Sequence, residues 1–325
     1  MSDPCASPTP VRIRTRINTT TIMPVVATVV VIGIFQILNP TFLSYQGIVT
    51  IVYAMSYFLI AACGLTLVIM MGSFDFSVVA VMKLSALLCV LYIEKIGLWI
   101  IPLALAMSAL IGLLNGLLFA KLKVPSFIAT LGISVVLDGI SQLSSKGFLH
   151  LLEHERFRSL SVTFIAGLPS IFYWALAIWL LCTVLSITTP FGRRIFAIGG
   201  NSRAAALCSI DVDGHRIAVF VLSSFLAGVA GVLYVSQQGG WSMEIGGQMM
   251  IPLFASVVAG GTSLRGGVGG PQRTIMGVII ITWIQSGLLM MGLGREIQFV
   301  ILGVIAISMA VATTEWRKST RLMVK

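Results

Sequence analysis

The sequence predicts an all-α fold, a polytopic transmembrane helix bundle of about ten passes, and three observations support it. Hydrophobic residues make up 57% of the 325 residues and charged residues only 10%, far below the roughly 25% of soluble domains. The apolar residues form separate runs of about the 20 residues that cross a bilayer core. Basic residues cluster between these runs, a pattern typical of membrane topology and lipid contact rather than of nucleic-acid binding.

Ten apolar runs are the candidate passes. In chain order they cover residues 22–38, 48–71, 77–93, 98–120, 126–143, 170–187, 216–236, 249–263, 274–291 and 297–314. Residues 22–314 are therefore expected to form one transmembrane domain between two polar tails, 1–21 and 315–325. The first run resembles a signal peptide, but it is long and no A-x-A-like cleavage site follows it, so we expect it to remain as a helix.

The eighth pass differs from the others. It begins MMIPLFASVVAGG, so it is short, contains Pro252 and is interrupted by Gly260 and Gly261. Non-helical backbone at membrane depth is tolerated where it is buried in protein or lines a cavity. We therefore expect a half-helix completed by irregular backbone.

The distribution of basic residues predicts the orientation. With the N-terminus inside, the ten passes place fifteen of the 21 basic residues in the cytoplasm and leave Lys83 within a pass. This asymmetry follows the positive-inside rule and favours ten passes with both termini cytoplasmic. Five basic residues lie outside: Lys95, Lys146, Arg156, Arg158 and Arg295.

Small residues mark possible helix contacts. Gly112 and Gly116 form a GxxxG pattern in the fourth pass, and Gly228 and Gly231 form a similar pair in the seventh. Such pairs allow helix backbones to approach closely. Glycine is also common in transmembrane helices without such contacts, so both interpretations stay open.

Four stretches of the chain occur in a distinctive order. They are Met71-Gly-Ser-Phe-Asp-Phe-Ser-Val78, Gly112-Leu-Leu-Asn-Gly116 with the following 121–132, Phe191-Gly-Arg-Arg194 with Gly200-Asn201, and Val258-Ala-Gly-Gly-Thr-Ser-Leu264 to Gly267. Together, from about residue 45 to residue 314, they resemble the ribose-type sugar permeases of ATP-binding cassette importers, in which the first stretch is a GGIDLSVG-type motif. The resemblance implies a multi-pass permease subunit of the bacterial inner membrane.

The chain departs from that family pattern at several positions. The second glycine of the motif is Ser73 here and the glycine after Ser77-Val78 is Val79, whereas the aspartate is retained as Asp75. Where many members have Arg-Gly in the fifth pass, this chain has Asp138 before a glycine. These departures bear on the identity of the substrate more than on the mechanism.

Polar residues within the passes are candidates for a substrate path. A charged side chain at the centre of a helix costs about 3 kcal/mol on insertion scales, so Asp138 requires a partner, a wet cavity or a proton. Thr130, Ser134 and Asp138 share one helical face, which Gln142 extends, and this stripe suits hydroxyl-rich ligands. Bonding between neighbouring helices explains such a stripe equally well.

Other polar residues allow the same two interpretations. Asn115, Trp283 and Gln285, together with Ser286, can recognise sugar hydroxyls and apolar sugar faces, or can bond neighbouring helices. Asp75 lies near the end of the second pass, where capping the third helix through backbone amides is the simpler explanation.

A metal site is not predicted. His150 and His154 lie near Glu153 and Glu155, but a solvated loop explains them better than a metal site. The five cysteines show no CxxC spacing and lie mostly in apolar runs, so neither a disulfide framework nor a zinc site is indicated.

The long polar stretch from 190 to 214, which we call the connector segment, is the candidate for coupling. Asn201 is a good helix N-cap, and Asp211 and Gly214 are interpreted as stop signals. Ala204, Leu207 and Ile210 are expected on one face. The family resemblance implies contact with an ATP-binding subunit through Arg193, Arg194, Gly200, Asn201, Arg203 and these three apolar residues. An interfacial helix on anionic lipid is the alternative.

No stretch of the sequence matches GxxxxGK[ST], so this chain has no P-loop of its own to cradle ATP phosphates. We expect no bound cofactor and no enzymatic activity, with ATP used by a partner. The resemblance implies two ATP-binding subunits, a second permease copy or paralogue, and a periplasmic binding protein. The competing hypothesis is an ATP-independent facilitator or ion-coupled carrier in which Asp138 binds a proton or cation.

Overall fold

The computed structural model of the chain describes residues 19–244, 249–294, 296–305 and 307–308. Within these ranges most residues are helical. The helices are α1 Thr19–Leu38, α2 Tyr45–Met70, α3 Val78–Ile96, α4 Ile100–Ala120, α5 Ser126–Ser145, α6 Glu155–Val162, α7 Ser170–Thr188, α8 Pro190–Gly200, α9 Ser202–Leu207, α10 Val212–Gln238, α11 Met250–Ala259, α12 Pro271–Met290 and α13 Glu296–Ile305.

Strands are confined to two short antiparallel pairs in the described part of the chain. Strand β1, His150–Leu151, pairs with β4, Gly240–Trp241, so that His150 lies opposite Trp241. Strands β2, Phe164–Ile165, and β3, Leu168–Pro169, form a hairpin. The all-α prediction therefore holds apart from these two-residue pairs.

The described helices form a polytopic membrane bundle. Six stretches are long and apolar enough to cross a membrane, and one of them, Val78–Ala120, contains both α3 and α4 joined by a 3-10 turn at Gly97–Trp99. Shorter apolar helices are present at Thr28–Leu38, Met250–Ala259 and Glu296–Ile305. The predicted tails 1–21 and 315–325 lie almost entirely outside the described residues.

Helix α10 lies at the centre of the bundle and packs against α2, α3 and α4. Its approach to α4 depends on glycine, because a Cβ at Gly112 would come within 2.7 Å of the Val221 Cα and one at Gly116 within 2.8 Å of the Ile217 Cα. Gly228 and Gly231 of α10 are equally close to Ser108 and Met82. The structure therefore confirms the close helix approach at both glycine pairs.

The bundle has two ends, defined by the course of α10. At roughly 1.5 Å per residue its 27 residues span about 40 Å. It begins next to α8 and α9, which mark the connector end, and it leads into β4, which marks the ribbon end. The indole Nε1 of the buried Trp241 in β4 donates to the Lys83 carbonyl of α3 at 3.0 Å, so the ribbon is tied into the bundle.

The boundaries of two predicted segments require correction. The seventh pass was expected at 216–236, but α10 begins at Val212. Asp211 is its N-cap and accepts the Gly214 N–H at 3.0 Å, so these residues start a helix rather than stop one. The connector segment is correspondingly not a polar loop with one short helix, because α8, α9 and the first turn of α10 fill most of it.

The short helix expected for the eighth pass is confirmed, whereas the irregular backbone that was expected to complete the pass contacts the ends of α2 and α8. Helix α11 has ten residues, which at 1.5 Å each give about 15 Å, roughly half of a bilayer core. Irregular backbone follows from 260 to 270, with positive φ at Gly261, Gly266 and Gly267, and α12 then begins at Pro271. Of the tenth predicted pass, 297–314, the structure describes the helix Glu296–Ile305 and residues 307–308.

Candidate translocation site and connector segment

Residues 71–77 form an irregular connection between α2 and α3 that carries the predicted Asp75. Its side chains alternate, because Ser73, Asp75 and Ser77 are buried whereas Phe74 and Phe76 are only partly buried. Alternation of this kind is the period-2 pattern of extended backbone. The segment therefore turns its polar side chains into the bundle and its aromatic side chains outward.

Asp75 is the centre of a buried hydrogen-bond network. One carboxylate oxygen, Oδ1, accepts the Ser77 hydroxyl at 2.6 Å and the Ser77 N–H at 3.0 Å. The other oxygen, Oδ2, accepts the Ser223 hydroxyl of α10 at 2.9 Å. Three donors offset part of the cost of burying a carboxyl group. The aspartate thereby joins the start of α3 to α10.

Asn115 of α4 belongs to the same network. Its amide nitrogen donates to the Ser77 hydroxyl at 2.8 Å, and the residue is fully buried. The structural role expected for Asp75 is supported, with one correction: it accepts the amide of Ser77, the residue that precedes α3, and not the amides of the first helical turn. Asn115 lies in this network and not on the outward aromatic face.

The outward face of the 71–77 segment is aromatic. The rings of Phe74 and Phe76 stack at 6.4 Å, and both stack on Phe254 of α11, at 6.3 and 4.9 Å respectively. Phe127 of α5 meets Phe76 edge-on at 6.4 Å and is 46% exposed. We call these four residues the aromatic surface. The sequence pattern did not identify it, because its members come from three separate stretches.

Helix α5 holds this segment in place through backbone hydrogen bonds. The Phe74 N–H donates to the Ser126 hydroxyl at 3.1 Å, and the Phe76 N–H donates to the Thr130 hydroxyl at 3.0 Å. The hydroxyl of the fully buried Thr130 thus accepts a hydrogen bond from the Phe76 N–H, a backbone donor that lies outside the helices. This contact supports the helix-bonding interpretation of Thr130.

Asp138 pairs with Lys83 of α3. The two side chains form an ion pair in which Lys83 is 7% exposed and Asp138 is 48% exposed. Asp138 follows Ser126 by twelve residues, roughly 18 Å along α5, so the pair lies well inside the bundle. The sequence analysis placed Lys83 within a pass but did not pair it with Asp138. An unpaired lysine at that depth is energetically costly, so the sequence already indicated that Lys83 needs a partner of opposite charge.

The remaining candidates for the path are not all brought together. Ser134 is partly buried and donates to the Leu131 carbonyl of its own helix at 2.8 Å, while Gln142 is exposed. Trp283 and Gln285 lie on α12 and are partly buried, and the Trp283 ring packs edge-on against Phe42 at 5.6 Å. The α12 pair therefore belongs to a different cluster from the stripe on α5.

The two histidines between α5 and α6 have local structural partners. His154 is the N-cap of α6, where its Nδ1 accepts the Phe157 N–H at 3.2 Å. The Nε2 atom of His150 lies 3.1 Å from the Ser145 carbonyl oxygen. Among the residues that the structure describes, no group of three or more His, Cys, Asp or Glu side chains is arranged to hold a metal ion.

Helix α8 forms the first half of the connector segment. The Thr189 hydroxyl caps it by accepting the Gly192 N–H at 3.2 Å. Gly192, Ile195 and Ile198 are buried at i, i+3 spacing, whereas Arg193 and Arg194 are exposed. The helix thus packs one face on the bundle and presents a basic face outward.

Helix α9 forms the second half. The Asn201 side chain caps it as expected, accepting from the backbone N–H groups of Arg203 and Ala204 at 3.1 Å each. The expected apolar face requires correction only at Ile210, because α9 ends at Leu207. The residue of α9 that is buried against the bundle is Ala205. Ala204 and Leu207 are exposed, Leu207 to 88%, while Ile210 lies beyond the helix and packs against the core.

Glycines connect α8 to the bundle. The Gly267 N–H donates to the Met70 carbonyl at the end of α2 at 2.8 Å. A Cβ on Gly199 would collide with that carbonyl, and one on Gly266 would come within 2.7 Å of the Gly72 backbone nitrogen. We call this contact of Gly72, Gly199, Gly266 and Gly267 with Met70 the glycine junction. It joins the ends of α2 and α8 to the irregular 260–270 backbone.

Comparison with known proteins identifies the family. The family model described as branched-chain amino acid transport system / permease component matches residues 47–310. The chain belongs to this permease family. The match covers the membrane bundle from α2 into α13, including the aromatic surface, the ion pair and the connector segment.

Individual relatives of this permease are similar over most of their length. It is 31% identical to the ribose import permease of Haemophilus influenzae over 85% of this chain and 87% of that protein. It is likewise 31% identical to the ribose import permease of Bacillus subtilis over 87% and 89%. The L-arabinose transport system permease of Escherichia coli is 30% identical over 87% of each chain. No solved structure matches the permease significantly.

Proposed function

We propose that this permease is the membrane subunit of an ATP-driven importer that carries a monosaccharide across the bacterial inner membrane. Its partners in this proposal are two ATP-binding subunits, a second permease copy or paralogue and a periplasmic binding protein. The chain itself supplies the passage and binds no cofactor, and its contribution is conformational rather than covalent.

The observation that carries the proposal is the exposure of Asp138. This carboxylate is 48% exposed on an apolar helix, well inside the bundle. Contact with lipid hydrocarbon is expensive for an ionisable group even when it is paired. Water or a second permease subunit is therefore expected to cover this face of α5, which supports a passage that runs along it.

The monosaccharide class comes from the relatives. Their names specify ribose and L-arabinose, whereas the family description mentions branched-chain amino acids. The named sugar permeases match 85 to 87% of this chain. We therefore favour a monosaccharide over an amino acid.

The connector segment is the proposed contact for the ATP-binding subunit. The exposed Leu207 and the exposed Arg193, Arg194 and Arg203 present an apolar and basic surface at one end of the bundle. A partner groove of complementary shape and charge fits such a surface. Closure of the ATP-binding subunits would move α8 and α9, and the glycine junction would transmit this motion to α2.

The ten-pass topology remains part of the proposal. It places both termini, including the tails 1–21 and 315–325, in the cytoplasm together with the connector end. The distribution of basic residues supports this orientation. In this arrangement the ribbon end faces the periplasm and the binding protein.

Reconstituted uptake tests the proposal. The permease is placed in liposomes with an ATP-binding subunit and a sugar-binding protein from the same genome, and uptake of labelled D-ribose and L-arabinose is measured with ATP, with ADP, and without the ATPase subunit. Uptake only with ATP and the complete complex is expected. Uptake that persists without the ATPase, or that follows a proton or sodium gradient, would instead establish the facilitator or ion-coupled carrier.

A further inference from the structure

We infer that the ribbon end of the permease binds the headgroup of an aminophospholipid, whose phosphate and ammonium groups contact oppositely charged side chains around two adjoining cavities. The site is separate from the aromatic surface, the Lys83–Asp138 pair and the connector segment. The inference goes beyond the proposed function and does not depend on it.

The two cavities lie between the turn that joins α3 to α4 and the start of α6. The first, of about 510 Å³, is lined by Trp99 of the turn together with His154 and Arg156. The second has about the same volume and is lined by the same His154 and Arg156 and by three carboxylates. These carboxylates belong to Glu94, Glu153 and Glu155. Because two residues line both cavities, one molecule with a negative and a positive group can occupy them together.

The cavities open at the edge of the membrane. The turn Gly97–Trp99 divides the apolar stretch Val78–Ala120 into two helices, so the chain leaves and re-enters the bilayer there. Trp99 is 80% exposed at this turn, and Tyr92 on the last part of α3 is 41% exposed. Exposed Trp and Tyr side chains at the ends of transmembrane helices are typical of the lipid headgroup layer. A lipid headgroup is therefore the ligand with the highest local concentration beside these cavities.

His154 and Arg156 form the side that suits an anion. The Nδ1 atom of His154 accepts the Phe157 N–H at 3.2 Å, so the proton of the neutral ring is on Nε2, which is left as a donor. The exposed Arg156 has a planar set of N–H donors that matches the oxygens of a phosphate. Helix α6 also begins at this place, and the N-terminal end of a helix attracts anionic groups.

The three carboxylates form the side that suits a cation. Glu94, Glu153 and Glu155 are exposed, and the ion pairs found among the described residues include neither these carboxylates nor Arg156. Opposite charges that line one space without neutralising each other are open to a ligand that carries both charges. A primary ammonium offers N–H donors to carboxylates, whereas the quaternary ammonium of choline has none. Phosphoethanolamine is therefore the headgroup that fits.

Lipid titration of the full-length permease tests the site. The protein is delipidated in detergent, and native mass spectrometry measures binding of phosphatidylethanolamine, phosphatidylcholine and phosphatidylglycerol with identical acyl chains. Phosphatidylethanolamine is expected to bind about two- to fivefold more tightly than the other two, the range of an exposed charge pair. Soluble O-phosphoethanolamine should compete with it, whereas L-leucine, a zwitterion without a phosphate, should not.

Matched variants separate the two sides of the site. Arg156→Gln is expected to lower the affinity for phosphatidylethanolamine and phosphatidylcholine alike by about two- to fivefold, because both lipids carry the phosphate. Glu94→Gln with Glu153→Gln should lower the affinity for phosphatidylethanolamine to that for phosphatidylcholine. Arg158→Gln is the control, since it makes the same change on α6 at a guanidinium that lies beside Gly239 and lines neither cavity.

Four results would overturn the inference. The first is equal affinity of the wild-type permease for phosphatidylethanolamine and phosphatidylcholine. The second is an equal loss of affinity in Arg156→Gln and Arg158→Gln, and the third is an unchanged preference for phosphatidylethanolamine in the double Gln variant. The fourth is displacement of phosphatidylethanolamine by L-leucine, which would assign the cavities to a soluble amino acid. Because the replaced side chains are exposed, the melting temperatures of all these variants should equal that of the wild type.

Discussion

Lys83 and Asp138 form an ion pair between α3 and α5 in which the lysine is almost completely buried and the aspartate is half exposed. The two residues therefore have unequal surroundings. Replacement of the aspartate leaves a positive charge in the bundle interior, whereas replacement of the lysine leaves a carboxylate with access to the open face of α5. This asymmetry leads to the first prediction.

Asp138→Asn is expected to lower the stability of the permease by about 1 to 3 kcal/mol. Breaking a fully buried pair costs about 3 to 5 kcal/mol, and the half exposure of Asp138 reduces this cost through solvent screening. The double variant Lys83→Met with Asp138→Leu should regain stability but not uptake, because the charged side chains proposed to line the passage are missing. Thermal unfolding in nanodiscs together with reconstituted uptake measures both. Equal melting temperatures for wild type and Asp138→Asn would contradict the prediction.

Gly199→Ala is expected to lower both stimulated ATP hydrolysis and transport. The added methyl group would collide with the Met70 carbonyl and would displace α8 from α2, whereas Gly303 of α13 has no atom within 4 Å of an added Cβ. Gly303→Ala, outside the connector segment, is therefore the matched control. We expect stimulated ATPase activity and uptake to fall severalfold in Gly199→Ala alone. Similar behaviour of the two variants would show that the glycine junction does not transmit motion.

Leu207→Glu is expected to weaken binding of the ATP-binding subunit. Leu207 is 88% exposed at the connector end, so a charge there leaves the fold intact but disrupts an apolar contact with a partner. Leu149→Glu, at a residue 64% exposed near the ribbon end, is the control. Copurification of the ATPase is expected to decrease for Leu207→Glu only. If it does not, and liposome binding of the permease decreases instead, the segment contacts lipid.

Gly112→Ala is expected to destabilise the packing of α4 on α10. The new Cβ would lie within 2.7 Å of the Val221 Cα, and such overpacking typically costs about 1 to 3 kcal/mol. Gly33→Ala on α1 has no atom within 4 Å of its Cβ and should leave the melting temperature unchanged or raise it. The melting temperatures in nanodiscs distinguish the two. Equal melting temperatures would show that α4 and α10 accommodate the added methyl group without loss of stability.

Ser223→Ala is expected to cost roughly 1.5 to 3 kcal/mol, the contribution of a hydrogen bond to a charged group. The Ser223 hydroxyl is one of three donors to the fully buried Asp75. Ser134→Ala removes a hydroxyl that bonds only its own helix carbonyl in the described contacts and should have little effect. Thermal unfolding of both variants checks the difference, and an equal response would show that Asp75 does not depend on Ser223.

Local sequence signals predicted the helices well where hydrophobicity marked both ends. The fifth pass was expected at 126–143, and the helix is Ser126–Ser145. The prediction is close because Pro125 marks the start of the helix and the polar residues after 143 mark its end. The seventh was placed four residues too late, because Asp211, Asp213 and Arg216 are polar and look like loop residues. In the structure Asp211 caps the helix, while Asp213 forms an ion pair with Lys123 and Arg216 lies over the Phe119 ring.

The candidate site was harder to predict, because it depends on contacts between distant stretches. Asp138 was identified from the cost of its charge, but its partner Lys83 is 55 positions away and no periodicity connects them. The aromatic surface combines Phe76 of the 71–77 connection with Phe127 of α5 and Phe254 of α11. Helix α8 was not predicted because its contact residues include Gly192 and Gly199. The absence of a side chain at these positions allows close backbone contact, but this is apparent only once the neighbouring backbone is known.

Trp241 connects the ribbon to helix α3. Its backbone pairs with His150 in the ribbon, and its indole holds the carbonyl of the same lysine that pairs with Asp138. A displacement of the ribbon therefore reaches the ion pair through one side chain and one residue of α3. A protein that pulls on the ribbon end would therefore act on the Lys83–Asp138 pair through the Trp241 indole and the Lys83 backbone.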